Sequence, residues 1–195
     1  MKTLPPLSPT NLSSLFARPD KQTRAIQGGQ LHQIADGVRN GSITGNEAAG
    51  LLMEQGKIAS AQRAAMADGK LSLGERINLL TLQAKAAGNI NSAKGNFEMD
   101  FFAPLDGQAQ RQASQIDQIA NGRTNNTITN SEAGYLLMQQ AHIGATRDSG
   151  NPWIEQHSEV VQNMAETDIA RHSKPGTQFP PFRAGAASVG GLIQG

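Results

Sequence analysis

Three short loops hold the residues whose types and spacing could bind a metal ion. Residues 40–47, 68–75 and 125–132 each carry a small polar pair, an aliphatic residue, Ser or Thr, and then Glu three positions after that hydroxyl. The same order forms the second half of an EF-hand calcium loop, whose last position is a Glu that supplies two oxygen ligands. The pattern therefore raises divalent-cation binding, with calcium as the ion, as one hypothesis.

The loop that ends at Glu47 is the best candidate among the three. Counting back from this Glu places Asp36 at the first ligand position and Asn40 at the fifth, so Asp36, Asn40 and Glu47 are the candidate metal ligands. Val38 occupies the third position, and the other two loops lack an acidic residue at the first position. Calcium takes about six to eight oxygens, and the acidic half of the loop that would supply them is missing.

Helix capping is the alternative explanation of the same residues, and the one we favour. Thr44, Ser72 and Thr129 each precede a Glu by three positions. In such a capping box the hydroxyl accepts a hydrogen bond from the amide of the Glu, and the carboxylate accepts one from the amide of the Ser or Thr. The loops therefore predict three helix starts without requiring an ion.

An internal repeat with an offset of 85 residues sets the architecture. Residues 31–58 match residues 116–143 without a gap, and roughly half of the paired positions are identical. Beyond Arg63 the register decays, and the sequence indicates that the second copy is rewritten around residues 151–153. Because an internal repeat defines how a chain is built, we predict a duplicated unit of about 70 residues.

Each unit is predicted to contain three helices. Apolar residues recur every three or four positions, and no stretch alternates with the period of two that marks a strand. Gly28-Gly29 should bend or split the first helix. The apolar stripes predicted for the two third helices are Ile77, Leu80, Ala84, Ala87 and Ile90 in the first unit, and Trp153, His157, Val160, Val161, Met164 and Ile169 in the second.

The predicted fold is therefore all-α, with two tandem related three-helix units and flexible termini. The predicted segments are a flexible leader (1–21), the first helical unit (22–96), an aromatic connector (97–109), the second helical unit (110–174) and a Pro- and Gly-rich tail (175–195). Pro and Ser in the leader and Gly in the tail are typical of chain ends without a packed core.

Two stretches of the first unit resemble motifs of an uncharacterised family of small bacterial helical proteins. The first is Gly-Val-Arg-Asn-Gly-Ser-Ile-Thr with the following Glu-Ala (37–48), and the second is Ala-Asp-Gly-Lys-Leu-Ser-Leu-Gly-Glu-Arg (67–76). The resemblance covers residues 24–96 and, in part, 111–143. The Ala-Asp-Gly core is also similar to that of the tellurite-resistance B-like helical domains. The resemblance implies a helical bacterial protein and brings no known catalytic residue.

Composition excludes several functional classes. The 195 residues carry a net charge of +1, which gives no field that would draw the chain to nucleic acid. Cysteine is absent, so disulfide scaffolds and thiol catalysis are excluded. The sequence contains no Gly-rich phosphate loop and no His-Glu-x-x-His helix, and its four histidines are scattered. We therefore predict that the protein is not an enzyme and has no nucleic-acid partner.

All six phenylalanines lie outside the repeated helices. Those of the connector, Phe97, Phe101 and Phe102, are predicted to fill the seam between the two units. Aromatic residues and Arg dominate the binding energy of many protein interfaces. The candidate partner-binding residues in the leader and tail are Phe16, Phe179, Phe182 and Arg183.

The leading functional hypothesis is a non-enzymatic bacterial protein-interaction module that binds another protein, either secreted or directed to a host. The alternatives are a calcium-binding helical protein and a membrane-active toxin, although a membrane partner is not favoured. No apolar stretch approaches the roughly 18 residues of a membrane helix. Members of the resembling family usually begin with a signal peptide, whereas residues 1–20 lack its apolar core. We therefore expect a cytoplasmic protein or export without a cleaved signal.

Overall fold

Six α-helices make up most of residues 19–149 and 151–174, which the computed structural model describes. They are α1 (Pro19–Asn40), α2 (Gly45–Ala65), α3 (Leu73–Gly95), α4 (Gly107–Thr124), α5 (Asn130–Arg147) and α6 (Pro152–His172). No strand occurs within these residues, so the all-α prediction is confirmed.

Three helices begin with the predicted capping boxes. Thr44 precedes α2, Ser72 precedes α3 and Thr129 precedes α5, and each hydroxyl accepts from the amide of the Glu three positions later. The Glu carboxylate accepts in return from the amide of the capping residue, which satisfies a second amide at each helix start. Pro152 stands in the first turn of α6, as expected from its fixed backbone angle.

The two units pack helix against matching helix. The most extensive contacts join α1 to α4 and α2 to α5, while α3 packs on α1 and α2, and α6 packs on α4 and α5. Both central pairs run antiparallel. In the second pair the start of α2 at Gly45 lies against the end of α5 at Gly144, and Gly56 lies against Gly134. Fully buried Leu52 and Leu137 belong to the core between these helices.

The first helix is continuous through Gly28-Gly29, so the predicted break is wrong. Gly28 lies where α1 crosses α4. A Cβ at this position would collide with the side chain of Thr124 and would stand 3.0 Å from the carbonyl oxygen of Ala120. The glycine therefore allows two helices to approach closely and does not interrupt the one that contains it.

Of the apolar stripes predicted for the third helices, Ile90 and Ile169 are buried, but most of the other positions are wrong. Ile77 and Leu80 are exposed on α3, and Trp153, Val160 and Met164 are exposed on α6. The residues that α3 buries are Leu79, Gln83, Ala86, Ile90 and Ala93. Those that α6 buries are Ser158, Gln162, Ala165 and Ile169.

These two buried stripes reveal that the third helices repeat as well, at an offset of 79 instead of 85. Gln83 corresponds to Gln162 and Ile90 to Ile169. The register changes because α5 has 18 residues where α2 has 21, and because the link before α6 is shorter than the link before α3. The second copy is therefore shortened before its last helix and is not rewritten.

The connector does not fill the seam between the units, which corrects the prediction for its aromatic residues. Phe97 is fully exposed, and Phe101 and Phe102 are each 77% exposed. The matching helices already bury one another directly, so the seam leaves no space for these rings.

Within the described residues, no helix has the length and apolar character needed to cross a membrane.

Candidate functional site

The connector between the two units is held against the protein by its backbone. The amide of Asp100 donates a 2.8 Å hydrogen bond to the carbonyl oxygen of Gly41, in the turn between α1 and α2. Gly41 has a φ of 77°, in the left-handed region that favours glycine, and any Cβ there would collide with the carbonyl oxygen of Asp100. The equivalent turn of the second unit has Asn126 with a φ of 59°.

A buried arginine fixes the connector from the other side. The side chain of Arg147 is only 4% exposed and lies 3.5 Å from a carboxylate oxygen of Asp100 and 3.8 Å from one of Asp106. It also pairs with the neighbouring Asp148 at 2.9 Å, and Asp148 accepts a 2.6 Å bond from the amide of Gly45. One guanidinium thus joins the connector to the end of α5.

Further hydrogen bonds define the path of the connector between these anchors. The amide of Phe102 donates to the side chain of Asp100 at 3.1 Å. Ala103 is fully buried, and its carbonyl oxygen accepts a 2.8 Å bond from Gln110, which also donates to the carbonyl oxygen of Arg39. The backbone between Asp100 and Asp106 is therefore ordered by contacts with both units.

The large apolar side chains of residues 97–105 are exposed. We call this set of side chains the connector patch, and its members are Phe97, Met99, Phe101, Phe102 and Leu105. Exposed apolar surface on a folded protein is a candidate interaction site. Sequence reasoning identified these aromatics but assigned them to the core.

The candidate metal ligands Asp36, Asn40 and Glu47 each have another partner in the structure. Asp36 accepts a 2.6 Å bond from Arg39, and the side-chain oxygen of Asn40 accepts a 2.9 Å bond from the amide of Ser42. One oxygen of Glu47 accepts from the amide and the hydroxyl of Thr44 in the capping box. Calcium binding would have to compete with these hydrogen bonds.

In two of the three loops, the second carboxylate oxygen of the Glu also has a side-chain partner. That of Glu47 accepts from the side chain of Asn96, and that of Glu132 lies 3.0 Å from Nδ1 of His172. Among the described residues, no three acidic or histidine side chains come together as a group that could hold a metal ion. Calcium binding stays a prediction to be tested by titration. The partner-binding candidates Phe16, Phe179, Phe182 and Arg183 lie outside the described residues.

A network of buried glutamines, which sequence reasoning missed, holds the three helices of each unit together. In the first unit, Gln27 donates to the carbonyl oxygen of Gln55, and Gln55 donates to the side chain of Gln30. Gln30 donates to the carbonyl oxygen of Gln83, and Gln83 to that of Thr23. Because the amide nitrogen of each of these side chains is hydrogen-bonded, their burial is tolerated and fixes the register of the helices.

The second unit repeats this network bond for bond. Gln112 donates to the carbonyl oxygen of Gln140, whose side chain donates to Gln115. Gln115 donates to the carbonyl oxygen of Gln162, and Gln162 to that of Gln108. The equal spacing of glutamines in the two copies is the signal that could have found the network in the sequence.

Two buried arginines complete this network at opposite ends of the molecule. Arg123 is fully buried and donates to the side-chain oxygens of Gln27 and Gln62 at 2.8 Å. Arg147 donates to Gln112, the counterpart of Gln27, at 3.0 Å. Desolvation by burial, followed by the nearby charge of Arg24, lowers the pKa of Arg123 to about 10, so its guanidinium remains charged at pH 7.

Comparisons with models of protein families, with curated proteins and with solved structures found no match to this chain.

Proposed function

We propose that this protein is a non-enzymatic protein-interaction module and that the connector patch is its binding surface. The observation that carries the proposal is the presentation of Phe101 and Phe102 on an anchored backbone, with both rings 77% exposed. Exposing two large aromatic rings forgoes about 1.5–3 kcal/mol of burial for each, which a partner protein can recover.

The anchoring of the connector favours binding because it reduces the conformational entropy that is lost when a partner binds. A loop that is already ordered loses less freedom when a partner binds than a loop without contacts. Here Gly41, Arg147 and Gln110 fix the backbone on both sides of the aromatic residues. Aromatic residues in such positions are the side chains that most often dominate interface energies.

Site-specific cross-linking tests the proposal with the full chain. A photo-reactive phenylalanine analogue replaces Phe101 in one protein and Leu73 in the control, because Leu73 is 69% exposed at the start of α3 and lies outside the patch. Incubation with the cell extract of the source should give a cross-linked protein at position 101 and none at position 73.

The captured protein is then purified and titrated against three forms of the chain. We expect the double variant Phe101→Ser/Phe102→Ser to bind at least tenfold more weakly than wild type, and Leu73→Ser to bind within twofold of it. Melting curves check that the variants remain folded, as expected for exposed positions. Equal affinity of the double variant, or equal cross-linking at both positions, would contradict the proposal.

A further inference from the structure

A groove runs between α2 and α3 on the first unit. Its volume is about 460 Å³, and its lining includes Gly50, Glu54 and Asn89. A Cβ placed on Gly50 would meet no atom within 4 Å, so the floor of the groove is open at this position. The side chain of Asn89 donates a 2.8 Å hydrogen bond to Glu54 across the groove.

The corresponding surface of the second unit is filled by a side chain of the protein itself. The residue equivalent to Gly50 at the offset of 85 is Tyr135, which is partly buried and packs on the core. Its hydroxyl accepts a 2.8 Å hydrogen bond from Gln139 and lies 3.3 Å from a carboxylate oxygen of Asp168. Tyr135 therefore spans α5 and α6.

The polar groups that surround the tyrosine hydroxyl have counterparts in the open groove. Glu54 corresponds to Gln139 at the offset of 85, and Asn89 corresponds to Asp168 at the offset of 79. Each unit thus places one carboxylate and one carboxamide at the same two positions, with their order exchanged. In both units the amide nitrogen donates to the carboxylate, at 2.8 Å in the first and 3.0 Å in the second.

From this correspondence we propose that the groove between α2 and α3 is a receptor for a tyrosine side chain of a partner protein. The ring would lie over Gly50, in the place that is equivalent to the one the ring of Tyr135 occupies in the second unit. The hydroxyl would donate to Glu54 and accept from Asn89. Tyr135 is the single tyrosine of this chain, so the tyrosine must come from another molecule.

The position of the groove agrees with the proposed function. Glu47 lines the groove and accepts a hydrogen bond from the side chain of Asn96. Asn96 directly precedes Phe97 of the connector patch. A partner bound to the patch therefore has the groove within immediate reach. The choice of a polypeptide as the source of the tyrosine rests on the proposed function, whereas the affinity of the groove for a tyrosine side chain does not.

The test uses the ¹⁵N-labelled full chain and the probe N-acetyl-tyrosinamide, with N-acetyl-phenylalaninamide as the control ligand. The reporter is the side-chain amide signal of Asn89. We expect saturable shifts with the tyrosine amide in the millimolar range, and at least threefold weaker binding of the phenylalanine amide, which lacks the hydroxyl. No saturable shift up to the solubility limit, or equal affinity for both amides, would overturn the proposal.

Two variants at one position provide the matched comparison. Gly50→Tyr installs in the first unit the side chain that fills the second, and should abolish binding. Gly50→Ala adds only a Cβ, which meets no protein atom within 4 Å but stands where the ring would lie, and should weaken binding without abolishing it. Unchanged binding to folded Gly50→Tyr would place the ligand elsewhere. If Gly50→Tyr does not fold, Asn89→Leu serves instead, followed through the amide of Gly50, and must remove the preference for tyrosine over phenylalanine.

The two proposals can fail separately. Loss of partner binding in Phe101→Ser/Phe102→Ser with no response to the tyrosine amide would retain the interaction module and remove the groove. A response to the tyrosine amide, together with unchanged partner binding by Phe101→Ser/Phe102→Ser, would retain the groove and remove the connector patch as the binding surface.

Discussion

His32 and Asp117 occupy the same position in the two copies of the repeat, and their side chains are in contact. Nδ1 of His32 lies 2.7 Å from a carboxylate oxygen of Asp117, and the two residues are 85 positions apart. Because α1 and α4 also run antiparallel, with Gly28 against Thr124 and Arg39 against Gln110, this contact between counterparts places a twofold axis between the two copies. The duplicated chain is therefore folded as a dimer of its own halves.

Arg39 strengthens the His32–Asp117 pair, because its guanidinium binds Asp117 as well as Asp36. The hydrogen bond with Asp117 is the main cause of the raised pKa of Arg39. We expect Asp117→Asn to lower the free energy of unfolding by at most about 1 kcal/mol, because the pair is partly exposed. Urea unfolding at low and high salt measures this loss, which salt should reduce. Asp36→Asn is the control and should cost less. A salt-independent loss would contradict an electrostatic role.

The buried Arg123 should be far more sensitive to substitution. Arg123→Val introduces the residue that the first unit has at the equivalent position, Val38, but leaves the side-chain oxygens of Gln27 and Gln62 without their donor. Each buried acceptor that is left without a donor costs about 1–3 kcal/mol. Denaturant unfolding measures the loss.

A second substitution should restore part of this stability. Gln62→Arg in the Arg123→Val background recreates the arrangement of the other end, where Arg147, the counterpart of Gln62, donates to Gln112. We expect the double variant to be more stable than Arg123→Val alone, which a double-mutant cycle detects. Additive destabilisation would show that the two ends are not interchangeable.

Tyr135 is a spectroscopic probe because the chain has no other tyrosine. Burial, together with the charge of Asp168, raises the pKa of its hydroxyl above the usual 10.0. Ultraviolet titration should therefore show phenolate absorption at a higher pH than in the unfolded chain. Asp168→Asn should move the transition down, and titration at the ordinary pH in the native protein would contradict the packing of Tyr135.

The same shift has a consequence for stability. Below pH 10 the tyrosine is protonated in the folded and unfolded states, so its contribution is fully present. Above that pH the unfolded chain ionises first, and the contribution is lost as the pH rises towards the pKa of the folded state.

The capping boxes predict a response to substitution that does not depend on calcium. Thr129→Ala removes the acceptor for the amide of Glu132 and should lower the free energy of unfolding by about 1 kcal/mol. Thr129→Ser should retain most of the stability. Because the Glu oxygens already serve the caps, we expect calcium and chelator to leave the melting temperature unchanged. A heat of binding that disappears in Glu47→Gln would instead favour the calcium hypothesis.

The helices and the duplication could be predicted from the sequence because their signals are local or periodic. The capping boxes of Thr44, Ser72 and Thr129 define three helix starts, and the offset of 85 is visible by alignment. The face that α3 buries could not be predicted from hydrophobicity, because the helix buries Gln83 and exposes Leu80. Its buried face is fixed by the hydrogen bonds that Gln83 forms with Gln30 and Thr23 of α1.

The candidate sites were harder to predict for a related reason. Exposure of Phe101 follows from the direct packing of the two units, which is a tertiary property. The open groove at Gly50 becomes meaningful only when Tyr135 is seen to span the equivalent helices. The groove arises from a difference between the two copies, whereas a sequence repeat first draws attention to what the copies share.

The connector that joins Gly95 to Gly107 also removes a constraint that ordinary dimers face. Tethering by a short linker replaces association from dilution with an effective local concentration that reaches the millimolar range. The halves can then remain together at any expression level, even where their interface alone would dissociate. Because each half always pairs with the other half of its own chain, the two sequences can diverge without forming pairs of two identical halves. One half can then carry an open receptor while the receptor of the other half is permanently occupied.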